Sequence, residues 1–400
     1  MTSLATVRNL STIFDRRWLP SRPRKLMEIT VVHPSDLGES ETSAWRTLLQ
    51  SSYELASPFL CPEFTIAVGR LRADVRVAVI EDDGKIVGFF PFQRHALGVG
   101  RPVGAGLTDV QGGVFRREVE LDIFHLLKAC GLSVWEFDHL LIDQFPAHHA
   151  GHYPSPIMDL RNGYDAYMSE VRRSSGKTIK STLYKERKLG RDIGELRHCY
   201  ATTDLTSFGT LLRWKSEQYR RTGRTDRFAW PWVVQLVEDL LHIDTPGFGG
   251  VLDMIYAGDR PVAGHFGLRS DTVLAGWFPA YDPAFARYSP GLVHHLAMAR
   301  EAAERGIAVI DMGRGEKEYK DKLKNGEFLV AEGRLARSTP VAGLQWLLRT
   351  PLRGVRNTVL AHPALRTPAD RMLKTYGRLS SSLRRPPAVE RGKPPMDAFP

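Results

Sequence analysis

The amino-acid sequence predicts an α/β protein with two tandem domains, each a mixed sheet flanked by helices, between basic segments at the two ends. The stretch from Val251 to Glu327 predicts three strands, a loop, a helix, a fourth strand and a charged, glycine-rich loop. In the first half of the chain, the hairpin strands from Val75 to Arg94, the loop after them, a helix and a strand ending at Asp138 repeat the order of Val251–Met312. Because 400 residues are long for one hydrophobic core and sufficient for two, we expect two domains. The predicted segments are a flexible basic arm at 1–26, domains at 27–162 and 163–335, and a flexible basic tail interrupted by prolines at 336–400.

The first predicted domain opens with a strand and contains a clear hairpin signal. The sequence Asp82-Asp83-Gly84-Lys85 joins two apolar stretches, which is typical of a tight turn between antiparallel strands. In this domain we predict strands at Glu28–Val32, Val75–Glu81, Ile86–Arg94 and Ser133–Asp138, and helices at Glu41–Ser52 and Val119–Cys130.

The second predicted domain follows the same plan. Pro290 in a first helical position, with Ser289 before it as N-cap, predicts a helix start, and Gly306 predicts the end of that helix. Further helices are predicted at Leu205–Arg221 and Pro231–Leu241. The four predicted strands are Val251–Tyr256, Pro261–Arg269, Thr272–Phe278 and Ile307–Met312.

The net charge of +10 is concentrated at the two ends of the chain. Residues 334–400 contain thirteen lysines and arginines against three acidic residues, and residues 1–26 contain six against one. Residues 27–333 are therefore acidic overall, so the basic isoelectric point says little about the substrate of the folded part. The tail also has apolar clusters around Trp346 and Val359, which are typical of segments that lie on an anionic membrane. The alternative is that the tail packs against the acidic body.

The composition also argues against several classes of protein. No apolar run approaches the roughly 20 residues of a membrane-spanning helix, and residues 1–26 lack the apolar core of a secretory signal. We therefore expect a cytoplasmic protein, either free or in peripheral contact with the inner face of the membrane. The three cysteines have no spacing typical of a zinc site. His294 and His295 point away from the apolar face of the predicted helix, so we expect them to be exposed. Because no spaced third ligand accompanies them, we expect no metal to be bound.

A strongly basic stretch lies near the start of the second predicted domain. Residues 172–191 contain eight lysines and arginines against Glu186 alone. One interpretation is a solvated helix that connects the domains, and the other is a helix that faces phosphate or another anion. Few aromatic residues are interleaved with these charges, so a nucleic-acid partner is only weakly indicated.

The loop after the last predicted strand of the second domain carries the densest group of candidate catalytic residues. It has the sequence Asp311-Met312-Gly313-Arg314-Gly315-Glu316 and is followed by Tyr319 and Lys320. Asp311, at a strand end, is either a general base or a structural partner of Arg314. His265 lies in a strand between two glycines. It is either a catalytic residue or a core histidine whose ring nitrogens have hydrogen-bond partners.

These residues resemble those of a known family. The order of elements, the Tyr288–Leu292 helix start and the loop at 311–315 with Tyr319 and Lys320 resemble GNAT-type acyltransferases. The similarity is to the branch named after the cellulose-biosynthesis protein CelD, which itself resembles the Fem-type aminoacyltransferases with two GNAT-like halves. It covers roughly residues 27–332. The usual GNAT motif Gln/Arg-x-x-Gly-x-Gly/Ala is incomplete here, because Arg287 is followed by Gly291 only.

The resemblance implies where the acyl donor and the catalytic groups lie. GNAT-like folds hold the donor between two splayed parallel strands, here Thr272–Phe278 and Ile307–Met312, with its phosphates at the next helix N-terminus. Lys320 resembles the lysine of the Phe-Lys-x-x-Phe motif of Fem enzymes, and its alternative is a surface lysine beside Lys317, Lys322 and Lys324. The implied donor-binding residues are Trp277, Arg287, Ser289, Pro290, Gly291 and Leu292. The candidate catalytic residues are His265, Asp311, Glu316, Tyr319 and Lys320.

The resemblance also implies the reaction. We expect an enzyme that moves an acyl group from acyl-CoA, with acetyl-CoA as the first candidate, to an amine or hydroxyl. The acceptor is a small molecule or a glycan, such as a precursor of an extracellular polysaccharide. One alternative is a Fem-like transferase that uses aminoacyl-tRNA, which the basic stretch at 172–191 favours. The other is a non-catalytic accessory module of a membrane polysaccharide synthase.

Overall fold

A computed structural model of the protein describes residues 27–315, 317–340 and 343. The predicted arm at 1–26, almost all of the predicted tail and the candidate residue Glu316 lie outside the described residues. No helix of the described part is long and apolar enough to span a membrane.

The N-terminal half, residues 27–162, contains seven strands and three helices among its described elements. The strand before the hairpin turn and the strand after it pair in antiparallel fashion around Asp83 and Gly84, as the sequence predicts. In chain order the elements are β1 (Glu28–Val32), α1 (Glu39–Gln50), α2 (Pro62–Leu71), β2 (Val75–Asp82), β3 (Lys85–Arg94), β4 (Val99–Arg101), β5 (Val114–Phe115), α3 (Ile123–Ala129), β6 (Val134–Leu141) and β7 (His149–Asp159).

The C-terminal half, residues 163–336, begins with a long helix. Its elements are α4 (Gly163–Ile193), β8 (Leu196–Cys199), α5 (Leu205–Arg221), α6 (Pro231–Leu241), β9 (Asp244–Thr245), β10 (Phe248–Ala257), β11 (Arg260–Arg269), β12 (Val273–Tyr281), α7 (Pro290–Glu304), β13 (Val309–Asp311), α8 (Glu318–Leu323) and β14 (Gly326–Ala336). The helix α4 continues through Gly176 and Gly190, with one irregular residue at Ser175.

All fourteen strands of the described residues belong to one sheet. The order along its main path is β1-β2-β3-β4-β6-β14-β7-β13-β12-β11-β10-β8. Each half has one parallel pair of named strands, β4 with β6 and β12 with β13. The last strand of each half lies beside the other half, because β7 pairs with β13 and β14 pairs with β6. The strand exchange makes the two halves one continuous sheet.

The hydrophobic core also crosses between the halves. One cluster of buried residues joins α2, α6 and β11 through Phe64, Val237 and Phe266. Trp277 of β12 packs against the rings of Phe59 and Phe64, at centroid distances of 5.5 and 6.1 Å. Burial of large apolar side chains is the main favourable term in folding, so this shared cluster fixes the N-terminal half against the strand β12.

Candidate active site

The parallel strands β12 and β13 separate after a short paired stretch. Their register pairs Val273 with Val309, Leu274 with Ile310 and Ala275 with Asp311. Beyond Ala275, β12 continues to Tyr281 paired with β11 but no longer with β13. A cavity of about 750 Å³ opens beside the divergence. Its walls include residues 276–279 of β12 and residues 312–314 of the loop after β13. The expected splay of two parallel strands is therefore present in the C-terminal half.

A bulge in β12 lies at the mouth of the splay. In the ladder between β11 and β12, Phe266 faces Phe278 and Leu268 faces Ala275, so Gly267 faces two residues of β12. A bulge of this kind leaves backbone groups outside the ladder and is common next to active sites. Gly276 is required at the bulge, because a Cβ atom there would lie 2.9 Å from the carbonyl oxygen of Asp311.

The second wall of the cavity comes from the N-terminal half. Leu107 and Asp109 line it, and the Nε1 of Trp277 donates a hydrogen bond of 2.7 Å to the carbonyl oxygen of Leu107. The Asp109 carboxylate lies against the loop, since a Cβ atom on Gly313 would be 2.7 Å from Asp109 Oδ2. Burial raises the pKa of Asp109. Residues far apart in the chain thus form one cavity.

Asp311 supports the loop and is not among the residues that line the cavity. Its carboxylate accepts hydrogen bonds from the Ser155 hydroxyl at 3.0 Å and from the Gly313 N–H at 2.8 Å. Burial, and next the charge of Asp109, raise the pKa of Asp311 to about 7.

Arg314, which the sequence offers as a partner of Asp311, pairs elsewhere. Its guanidinium donates to the Asp138 carbonyl oxygen at 2.6 Å, forms an ion pair with Glu332 at 3.3 Å and stacks on the Tyr153 ring. Of the two alternatives for Asp311, the ion pair with Arg314 is therefore wrong. The strand exchange explains why, since it places β14 with Glu332 beside this loop.

Lys320 is buried, contrary to the alternative of a surface lysine. Its Nζ donates to the carbonyl oxygens of Gly313 at 2.6 Å and of Arg314 at 3.3 Å, so two hydrogen bonds tie the loop to α8. Burial lowers the pKa of Lys320. Tyr319 lines the cavity and packs its ring 5.3 Å from that of His295. The structure thus brings Tyr319, Lys320 and the loop after Asp311 together.

The cavity is strongly basic. Asp109 is the one acidic residue among the described residues that line it, whereas six lysines and arginines do so. Lys215 is buried, as Lys320 is, and its Nζ donates to the Pro279 carbonyl oxygen at 2.9 Å. Burial, and next the charge of Lys317, lower the pKa of Lys215 to about 7. The basic residues are Lys215, Arg224, Arg227, Arg314, Lys317 and Lys320.

Several of these cavity residues are absent from the candidates drawn from the sequence. Lys215 and Tyr219 are four apart on the predicted helix Leu205–Arg221, so they share one face, and both line the cavity. That spacing was the available signal for the pair. Asp109 has no comparable signal, because only the contact between the halves brings it to the loop.

His265 lies outside the cavity. It is completely buried on β11, directly across from Asp253 of β10, and neither ring nitrogen has a hydrogen-bond partner among the described residues. Burial holds the pKa of His265 well below its usual value. His294 and His295 on α7 are also buried, so the predicted exposure of both is wrong. They lie where α7 packs against the sheet and against Tyr319.

The start of α7 departs from an ordinary capped helix. Ser289 has the left-handed angles φ 51° and ψ 51°, and its side chain makes no capping bond. Instead its hydroxyl accepts a hydrogen bond of 2.8 Å from Lys185 of α4. Arg287 donates to the Tyr288 hydroxyl at 2.7 Å, and a Cβ atom on Gly291 would lie 3.6 Å from the Tyr281 ring at the end of β12.

The corresponding splay in the N-terminal half is closed by the chain itself. The strands β4 and β6 pair over two positions, and Gln111 then forms a parallel bridge with Leu140. The Gln111 side-chain oxygen accepts from the N–H groups of Asp138 and His139, each at 3.0 Å. Its amide donates to Asp138 Oδ1 at 2.8 Å. Only the C-terminal splay of the described chain is open.

Comparison with known proteins agrees with this architecture. Residues 176–321 match the family model described as an acetyltransferase (GNAT) domain. The crystal structure of FemX is similar with a TM-score of 0.56 at 11% identity, over 79% of this chain and 99% of that chain. No curated protein sequence matches the chain.

Two further structures show weaker similarity. One is the C-terminal domain of a lysylphosphatidylglycerol synthetase from Agrobacterium fabrum, with a TM-score of 0.46 at 10% identity, over 78% of this chain and 96% of that chain. The other is a tandem GNAT protein of clavulanic acid biosynthesis, with a TM-score of 0.43 at 10% identity, over 78% and 99%. The predicted α/β, GNAT-like fold is confirmed, and the similarity to the GNAT acetyltransferase model covers residues 176–321.

Proposed function

We propose that the protein transfers an acyl group from acyl-CoA, with acetyl-CoA as the first candidate, to an amine or hydroxyl of an acceptor bound in the cavity. The observation that carries the proposal is the open splay of β12 and β13, with a bulge at its mouth, inside the region that matches the GNAT domain. An extended donor can pair with free strand edges only where two strands separate.

The donor would lie along β12 from the cavity to the start of α7. The distance from Gly276 to Tyr281 is about 17 Å for an extended strand, which suits the long pantetheine arm of coenzyme A. Its phosphates would then meet the N-terminus of α7 at Gly291, where the helix dipole favours negative charge. Lys185 and Arg287 add positive charge at the same place.

The chemical step requires polarisation of the thioester and removal of one proton. A backbone N–H freed by the bulge at Gly276 and Trp277 would stabilise the developing oxyanion. The acceptor lone pair forms the new bond to the carbonyl carbon, and the carbon–sulfur bond breaks. We assign proton removal to Asp109, because its carboxylate faces the cavity and burial raises its pKa, which makes the carboxylate a stronger base. The proton finally resides on the coenzyme A thiol.

The other candidates then take supporting roles. Asp311 accepts a hydrogen bond from the Gly313 N–H, and Lys320 donates one to the Gly313 carbonyl oxygen. The two residues so position the loop against Asp109. Tyr319 lines the acceptor side of the cavity. His265 belongs to the core in this arrangement, and Glu316, outside the described residues, remains a candidate.

The charge of the cavity supports an anionic acceptor. Six basic side chains against Asp109 alone would favour a phosphate or carboxylate group, since confined positive charge raises the local concentration of anions. A phosphate-bearing polysaccharide precursor, as the CelD resemblance suggests, fits this requirement better than a neutral glycan.

The test measures the coenzyme A that the protein releases from acetyl-CoA, detected by the reaction of its free thiol with a thiol reagent. The acceptors are a panel of amino sugars with and without phosphate. We expect acceptor-dependent release for a phosphate-bearing member of the panel. Absence of release with every member, together with absence of acetyl-CoA binding, would contradict the proposal.

A second candidate keeps the fold but uses aminoacyl-tRNA as donor. The contact between Lys185 of α4 and Ser289 supports it, because it joins the basic stretch at 172–191 to the donor helix. The structural similarity to FemX is compatible with it at the level of the fold. Binding of tRNA that acetyl-CoA cannot displace, in a filter assay, would favour this candidate over the first.

A further inference from the structure

A second polar cluster lies in the C-terminal half, apart from the cavity. His198 on β8, Asp253 on β10 and His294 on α7 each place one potential ligand atom at a common point, and these atoms lie within 4.8 Å of one another. His198 Nε2 is 2.5 Å from Asp253 Oδ1, and His294 Nε2 is 3.3 Å from Asp253 Oδ2. None of the three residues lines the cavity.

The carboxylate at the centre of this cluster lacks hydrogen bonds. Asp253 is completely buried and His294 is 1% exposed. Within the described residues, neither carboxylate oxygen of Asp253 nor Nε2 of His198 has a partner with hydrogen-bond geometry, despite the short distances. His294 Nε2 is instead 3.2 Å from the Asp253 carbonyl oxygen. The two imidazoles lie at ion-pair distance from the Asp253 carboxylate but without hydrogen-bond geometry, and binding of one ion by all three groups would compensate the cost of burying the carboxylate.

We propose that His198, Asp253 and His294 bind one divalent transition-metal ion, with zinc as the first candidate. Two imidazole nitrogens and one carboxylate oxygen form a donor set that zinc and its first-row neighbours accept. Ligand bonds of about 2.0–2.1 Å in tetrahedral geometry place ligand atoms about 3.4 Å apart. The separation of 3.3 Å between His294 and Asp253 matches this value.

His198 Nε2, now 2.5 Å from Asp253 Oδ1, has to move away from that oxygen by about 1 Å to reach the same ligand separation. It lies on β8, the last strand on the sheet's main path, and its side chain is 20% exposed. The exposed edge of this imidazole also gives an ion a route into the cluster. The two buried ligands and the one partly exposed ligand therefore fit a site that forms as the ion enters.

Two further polar groups lie next to the cluster. The Tyr200 hydroxyl is buried without a hydrogen-bond partner among the described residues, and its ring is 6.5 Å from that of His198. The partnerless His265 ring is 6.4 Å from that of His294. These groups can bond a water molecule in the fourth ligand position, as second-layer partners do in zinc sites.

The ion would act as a structural link. It joins the edge strand β8 and the helix α7 to the central strand β10, and α7 begins at the donor-binding residues proposed above. The inference does not depend on the proposed function, because the cluster is separate from the cavity.

The experiment measures zinc bound to the full chain after treatment with a chelator and dialysis, with binding followed by calorimetry. We expect about one equivalent for the wild type and for His242→Ala, a variant of an exposed histidine that serves as matched control. His198→Ala should weaken binding at least tenfold. Equal affinity of wild type and His198→Ala, or no binding by the wild type, would overturn the proposal.

A spectroscopic variant guards against loss of binding through misfolding. His198→Cys replaces one ligand by another, so its cobalt complex should gain a thiolate-to-cobalt absorption band that the wild-type complex lacks. Absence of the band in a variant with an unchanged far-ultraviolet circular dichroism spectrum would show that residue 198 is not a ligand.

Discussion

The two parallel strand pairs of the sheet differ in what lies between them after they diverge. In the C-terminal half, an open cavity lies between β12 and the loop after β13. In the N-terminal half, Gln111 fills the equivalent gap with backbone and side-chain hydrogen bonds to β6. Each half thus has one parallel strand pair, but the pair in the C-terminal half opens into a cavity, whereas hydrogen bonds close the pair in the N-terminal half. The N-terminal half still contributes Leu107 and Asp109 to the open site.

The largest expected effect tests what the N-terminal half adds to the reaction. Asp109→Asn should lower the rate of coenzyme A release about a hundredfold or more, because the asparagine side chain cannot take up the proton that the acceptor substrate loses. The wild-type rate should rise with pH through the raised pKa of Asp109, since the base acts when deprotonated. The control is Asp143→Asn at an exposed position. An unchanged rate in Asp109→Asn would remove this residue from the chemistry.

The next effect concerns the pH dependence of stability. Asp311 has a folded pKa of about 7, above its usual value of 3.8, so the folded state binds the proton more tightly than the unfolded state. Its contribution favours folding at low pH and is lost as pH rises from about 4 to about 7. Between pH 5 and 7 the loss is at most about 3 kcal/mol. Urea unfolding at both pH values should show a smaller decrease for Asp311→Asn than for the wild type, and an equal decrease would contradict the assignment.

A third change opens the closed gap. Gln111→Ala should lower the free energy of unfolding by about 1–3 kcal/mol, because Gln111 is buried and its part-buried partners on Asp138 and His139 lose their hydrogen bonds. The maximal rate of the folded enzyme should stay within about twofold, since Gln111 does not line the cavity. Urea unfolding and the coenzyme A assay measure the two effects. A large loss of rate without loss of stability would make the N-terminal gap part of the site.

A smaller effect is expected at the donor helix. Gly291→Val should weaken acetyl-CoA binding about tenfold, because a side chain beside the Tyr281 ring narrows the path of the phosphates. Gly209→Val is the matched control, since no atom lies within 4 Å of an added Cβ there. Calorimetry that gives equal affinities for both variants would argue against phosphate binding at this helix.

The smallest effect concerns the tail outside the described residues. The full chain should bind anionic vesicles at low salt more strongly than a chain ending at Pro340, and the difference should vanish at high salt. Each basic residue contributes about 1 kcal/mol at most. Equal sedimentation of both chains with vesicles would leave the tail as a packing arm or as a contact for another protein.

The sequence predicted those parts of the fold that depend on local patterns. The hairpin at Asp83-Gly84, the strands β10 to β12 and the start of α7 at Pro290 agree with the structure, because turn residues, alternation and proline act over a few residues. The strand exchange of β7 and β14 was not predictable in this way, since it depends on pairing between distant segments.

The site shows the same division. The loop after β13 and Tyr319 could be found from the sequence, because charged residues follow a buried strand. The Arg314–Glu332 pair, the burial of Lys320 and the position of Asp109 all follow from long-range packing. The apolar pattern of α7 places its two histidines off the main apolar face and so predicts exposure. The pattern does not include α4 and the sheet, which cover this helix in the structure.

The open C-terminal splay is the central claim, and titration of the wild-type protein with acetyl-CoA tests it most directly. We expect one equivalent to bind, with unchanged affinity in folded Gln111→Ala and weaker affinity in Gly291→Val. Two equivalents, or one equivalent that is lost in Gln111→Ala and kept in Gly291→Val, would place a donor in the N-terminal half. No binding to the wild-type protein would contradict the assignment of the open splay to acyl-CoA.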